Sequence, residues 1–112
     1  MKPGVYNIRP QRRADFTLGL VLKDSNGTEL DLTGAEVLAQ VWDKKRTTKL
    51  GDFTVTINDP TSGAVELLLD YETTTDLPDE ARYDVMLISS GGLREYMLEG
   101  IVRPSEGYTA PA

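Results

Sequence analysis

An all-β sandwich is the fold this sequence predicts, and three observations predict it. Apolar residues alternate with polar ones in short segments: Phe16, Leu18, Leu20 and Leu22, then Phe53, Val55 and Ile57, then Val65, Leu67 and Leu69. A period of two places each set on one side of a pleated strand. Turn signals such as Asn26-Gly27, Thr33-Gly34, Asp59-Pro60 and Gly91-Gly92 separate the segments, at the spacing of about 8 to 12 residues that sandwich strands keep. Finally, 112 residues without cysteine make one domain, 1–112, that can bury roughly two thirds of its unfolded surface and needs no disulfide staple.

The elements follow in order. A short strand around residues 5–8 leads into a polar, basic connection, where Pro10 limits central pairing. A second strand covers 14–23 and ends at Asp24-Ser25-Asn26-Gly27, where Asn-Gly supplies the positive φ angles of a tight hairpin. An extended piece at 29–32 precedes Thr33-Gly34, a third strand covers 35–42, and 44–49 is a polar loop. A fourth strand spans 50–58, residues 59–63 turn the chain, and a fifth strand covers 64–70. Residues 71–78 break the alternation and suit one helical turn crossing between sheets, with Leu77 plugging the sandwich end. The sixth strand runs over 82–89, Gly91-Gly92 turns, the seventh runs over 93–103, and an irregular tail follows. The expected architecture is an immunoglobulin-like β-sandwich of seven or eight antiparallel strands, with the third, sixth and seventh in one sheet and the second, fourth and fifth in the other.

Composition excludes several kinds of chemistry. Histidine is absent along with cysteine, which removes the usual general base, the thiolate nucleophile and the commonest zinc ligands. No enzyme activity, cofactor or metal site is expected. A net charge of -6 argues against nucleic acid, because phosphate neutralisation needs clustered Lys and Arg. The basic clusters Arg9, Arg12 and Arg13, and Lys44, Lys45 and Arg46, read as solvated loop charges. No apolar run approaches the roughly 20 residues that cross a bilayer, and the first residues lack the apolar core of a secretory signal, so a soluble chain with no membrane partner is expected.

The alternation also assigns the outward residues, and these differ between the sheets. On the second, fourth and fifth strands they are mainly polar: Thr17, Gly19, Lys23, Thr54, Thr56, Asn58, Glu66 and Asp70, with Val21 and Leu68. On the third, sixth and seventh strands they include Leu38, Trp42, Met86, Ile88, Met97 and Ile101 beside Gln40, Asp84, Glu95 and Glu99. A contiguous apolar surface of that kind marks an interaction site, and Met and Trp are residues that interfaces favour. Leu38, Trp42, Met86, Ile88, Met97 and Ile101 are therefore the candidate protein interface.

Other candidates are weaker. The 24–29 loop carries oxygen ligands but lacks the calcium-loop pattern, and a plain hairpin explains it better. The carboxylates Asp70, Glu72, Asp76, Asp79 and Glu80 lie around the crossover without neighbouring sugar-stacking aromatics, so they read as solvated charge rather than a hydrolytic pair. Tyr83, at the start of the sixth strand, fits the corner position that such sandwiches give to a tyrosine.

The stretches Asp31-Leu32-Thr33-Gly34-Ala35-Glu36-Val37-Leu38-Ala39-Gln40-Val41, Phe53-Thr54-Val55-Thr56-Ile57, Ser62-Gly63-Ala64-Val65, Leu77-Pro78, Arg82-Tyr83-Asp84-Val85 and Leu98-Glu99-Gly100-Ile101-Val102 occur in the order seen in small tailed-bacteriophage virion proteins. From about Tyr6 to Thr109 the chain resembles the immunoglobulin-like N-terminal domain of baseplate upper proteins and related short tail proteins. It departs from them at Glu80-Ala81-Arg82, where the family often places Gly before the tyrosine. The resemblance implies a structural component of the virion in tail, baseplate or neck, contacting other virion proteins and present as a homo-oligomer or in symmetry-related copies. A capsid decoration protein or a carbohydrate-binding module are the alternatives.

Overall fold

The computed structural model describes residues 3–109, and two packed sheets account for about half of them. The strands are β1 (Gly4–Val5), β2 (Phe16–Val21), β3 (Glu36–Asp43), β4 (Lys49–Asp52), β5 (Thr54–Asp59), β6 (Ala64–Leu69), β7 (Ala81–Ile88) and β8 (Arg94–Val102), with one helical turn, α1 (Tyr71–Thr75), between β6 and β7. One sheet has the order β1-β8-β7-β3-β4 and the other β2-β6-β5. The β3, β7, β8 and β2, β6, β5 groupings are those of an immunoglobulin-type sandwich, as the alternation predicted.

Two details depart from the expectation. The predicted fourth strand is two strands in different sheets: β4 pairs with β3, and β5 pairs with β6. Phe53 sits at the switch, donating its N–H to the Ala39 carbonyl at 2.9 Å and burying its ring against Tyr83, centroid to centroid 5.9 Å. Because Phe53 points into the core from either sheet, the alternation runs through the switch without a break. The pairing is also not wholly antiparallel. The chain start runs parallel to β8, from Gly4 beside Leu98 to the bridges Ile8–Val102 and Gln11–Ser105.

The core lies between the sheets. Val37, Ala39 and Val41 of β3, Val65, Leu67 and Leu69 of β6, and Tyr83, Val85 and Leu87 of β7 are buried, with Leu22, Phe53 and Val102. Leu77 is buried at the sandwich end, as expected of it. Phe16, Leu18 and Leu20 of β2 and Val55 and Ile57 of β5 face the core yet are only half-buried. These two strands are the edges of the smaller sheet, where the apolar layer runs out.

The turns are built by short polar side chains. The Asp24 carboxylate accepts the N–H groups of Asn26 and Thr28 (2.9 and 3.0 Å), and Gly27 alone takes a positive φ of 82°. Asn26 is not left-handed, so the loop is a four-residue turn closed by Gly27 N–H to Asp24 C=O rather than the two-residue Asn-Gly hairpin expected. Asp70 caps α1 by accepting the Thr73 N–H, and Asp59 does the same for Thr61 in the 3-10 turn Pro60–Ser62 between β5 and β6.

Long-range polar contacts fasten the arm and tail. Arg12 donates to the Leu77 carbonyl at 2.9 Å and pairs with Asp79 and Glu106, while Arg13 reaches Glu106. These arginines are clamps rather than the solvated loop charges expected. The Tyr83 hydroxyl donates to the Tyr6 carbonyl across 77 residues, not to a nearby corner. Burial, and then Tyr6, push its pKa up to about 12, so it stays a donor.

Candidate interaction face

Strand register sorts the outer face of the larger sheet into rungs. Leu38, Met86 and Tyr96 lie side by side across β3, β7 and β8. The next rung is Gln40, Asp84 and Glu99, and beyond it come Trp42, Arg82 and Ile101. Leu38, Trp42, Met86 and Ile101 thus converge as the sequence predicted, and they line a concave groove of about 720 Å³. One wall is the β3–β4 loop with Lys44 and Arg46, and the other is the arm with Val5 and Asn7.

Two predicted residues fall elsewhere. A bulge between Val85 and Met86 in the β7–β8 pairing leaves Met97 opposite no residue. It tucks half-buried against the core, and Tyr96 takes its place on the outer face. A bulge inverts which side each preceding residue faces, and nothing in the alternation of β8 positions it. The run Tyr96-Met97-Leu98, which breaks alternation, is the one trace of it. Ile88 lies outside the groove, in a rung between Glu36 and Arg94.

The groove is less apolar and more charged than its sequence suggests. The Trp42 indole N–H donates to Gln40 at 2.9 Å, and the Arg46 guanidinium stacks over the ring at 4.3 Å, a cation–π contact that covers one indole face. Arg46 takes φ 58°, a left-handed conformation uncommon outside glycine, in the turn that brings it there. At the centre Asp84 and Glu99 stand directly opposite one another, an arrangement that is destabilising on a sheet. Burial, then the Glu99 charge, push the Asp84 pKa above its ordinary value, with Arg46 offsetting part of the rise.

The crossover carboxylates do other work. Glu80 accepts from Arg82 at 2.9 Å and Arg103 at 3.0 Å and lies 3.4 Å from Lys44, and these partners hold its pKa down to about 2. Asp70 is a helix cap and Asp79 pairs with Arg12. Among the described residues no group of three or more acidic side chains is placed to hold a metal ion, and no helix is long and apolar enough to cross a membrane.

No model of a known protein family matches the chain, and no curated protein matches it.

Proposed function

We propose that this chain is a structural component of a bacteriophage virion, in tail, baseplate or neck, and that it joins its neighbour through the groove on the larger sheet. The carrying observation is the pair of apolar-bearing rungs, Leu38-Met86-Tyr96 and Trp42-Arg82-Ile101, flanking two carboxylates that repel one another. Perturbed, mutually unfavourable charges kept in a cleft are stability given up for binding. A partner that lays apolar side chains on the outer rungs and a Lys or Arg over Asp84 and Glu99 offsets the repulsion and covers the exposed Leu38 and Tyr96. The resemblance of residues 31–41 and the stretches after them to phage tail modules supplies the setting. An aromatic sugar platform is disfavoured because Arg46 already occupies the Trp42 ring.

The test is incorporation into particles. Virions made from a genome encoding this chain are purified and their protein content measured by mass spectrometry, with wild type and Met86→Glu compared. Wild type is expected at a fixed copy number, and the variant, whose residue is half-buried at the surface, is expected to fold yet be left out. Absence of wild type from particles defeats the virion role, and normal incorporation of Met86→Glu defeats the groove.

A further inference from the structure

The four sheet edges are not equally protected. β1 is two residues long and follows Pro3. β4 is four residues long, bulged against β3, and carries Lys49 and Asp52. β5 is bulged before Asp59, which puts a charge at its end. Short length, bulges and charge are the usual guards against edge-to-edge pairing. β2 has none of them: its six residues, Phe-Thr-Leu-Gly-Leu-Val, pair with β6 without a register shift and have no second neighbour among the described strands. Leu22 donates its N–H to the Gly63 carbonyl at 2.9 Å, so the even-numbered residues address β6. By alternation, Thr17, Gly19, Val21 and Lys23 turn their N–H and C=O groups to the open edge.

We infer that β2 is a dimerisation edge, pairing antiparallel with β2 of a second copy about a two-fold axis at Gly19. Three observations choose this occupant and register. With Gly19 facing its own copy, Thr17 meets Val21, Leu18 meets Leu20, and Asp15 meets Lys23 at both ends. The open-edge residues fall opposite open-edge residues, so their N–H and C=O groups can bond across the axis, and core-facing residues fall opposite core-facing ones. Phe16, Leu18 and Leu20, half-buried in one copy, then join the same row of the other copy into a continuous apolar layer. Neighbouring registers are worse. Centring on Leu18 sets Arg13 against Lys23, and centring on Leu20 leaves Asp15 without its cation. Asp15 bonds the Tyr71 N–H through one oxygen at 2.8 Å, which leaves the other for Lys23. At the axis, Gly19 has open space on its outward side.

Sedimentation of the full chain over a concentration series tests this. Wild type is expected to be a dimer that dissociates on dilution, with slow amide exchange at Thr17, Gly19 and Val21 only when concentrated. Thr17→Pro removes an N–H on the open edge alone, so the β2–β6 ladder remains; it is expected to sediment as a monomer with an unchanged far-ultraviolet spectrum. Lys23→Asp sets carboxylates opposite one another at both ends and is expected to weaken the dimer by about tenfold, and Asp15→Lys combined with Lys23→Asp is expected to restore it. A wild-type chain that stays monomeric at about 1 mM, or a dimer indifferent to Thr17→Pro, overturns the inference; failure of the double variant to regain mass, with a far-ultraviolet spectrum unchanged from wild type, overturns the register. Met86→Glu is expected to leave this dimer intact, so failure here is distinct from failure of the groove.

Discussion

The two sheets leave different things unfinished. In the larger sheet the edges are short or bulged and the arm is locked down, yet the outer face holds opposed carboxylates beside exposed Leu38 and Tyr96. In the smaller sheet the outer face is quiet, with Glu66 set between Gly19 and Thr56, and it is the β2 edge that has no second neighbour among the described strands. The contrast teaches that face and edge are separate interaction resources. A sheet face binds by side chains and is tuned by charge, whereas an edge binds by backbone groups and is tuned by register. If both proposals hold, the groove and the β2 edge lie on different sheets and do not compete.

The largest expected effect comes from two glycines in mid-strand. A methyl group on Gly100 of β8 would lie 2.0 Å from the Tyr6 carbonyl oxygen and 2.9 Å from the Tyr83 ring, whereas one on Gly19 of β2 meets nothing within 4 Å. Gly100→Ala is expected to push the arm off β8, break the Tyr83–Tyr6 bond and expose Ile8, costing about 2 to 4 kcal/mol. Gly19→Ala is expected to change stability by about 0.5 kcal/mol or less, toward stabilisation. Urea midpoints of both variants, with proteolysis of the arm as a second readout, check this. Equal midpoints would mean that the arm contributes little to the larger sheet.

How much of this was legible in the sequence follows from the range of each interaction. The alternation at Val37, Ala39 and Val41 and at Val65, Leu67 and Leu69 is local and read correctly, as were the helical turn after Asp70 and the buried Leu77. The switch at Phe53 left no mark, because a residue facing the core looks the same from either sheet. Alternation alone puts Met97 on the wrong side, because a bulge belongs to the register between two strands and not to either alone. Arg12 reaches Leu77 and Asp79, 65 and 67 residues away, a contact that no spacing rule encodes. Of the candidate face, Leu38, Trp42, Met86 and Ile101 were found from parity. Tyr96 and the Asp84–Glu99 opposition needed the register.

A smaller effect separates the carboxylates of the two faces. Asp84→Asn removes one of two opposed charges and is expected to stabilise the fold at neutral pH by a few tenths to about 1 kcal/mol. Glu66→Gln, flanked by Gly19 and Thr56, is expected to change almost nothing. Melting temperatures at neutral pH compare them. If Asp84→Asn also fails to enter particles, the stability given up at Asp84 serves the groove; if it destabilises the fold, the repulsion is already relieved by Arg46.

The smallest effect at neutral pH is at Glu80, and it sharpens the comparison within the larger sheet because its sign opposes that of Asp84. Hydrogen bonds from Arg82 and then Arg103 lower the Glu80 pKa from 4.5 to about 2 in the folded chain. The unfolded chain therefore binds the proton first on acidification: the stabilisation is fully present above about pH 4.5 and is lost as pH falls toward 2. Asp84, raised by burial and by Glu99, carries a cost that is relieved as pH falls. Urea midpoints from pH 6 down to about 2 are expected to fall less steeply in Glu80→Gln than in wild type, with added salt shrinking the difference because these groups meet solvent. The advantage of Asp84→Asn over wild type is expected to shrink over the same acid range. Parallel curves for Glu80→Gln and wild type would mean that the Arg82, Arg103 and Lys44 contacts add nothing to the fold.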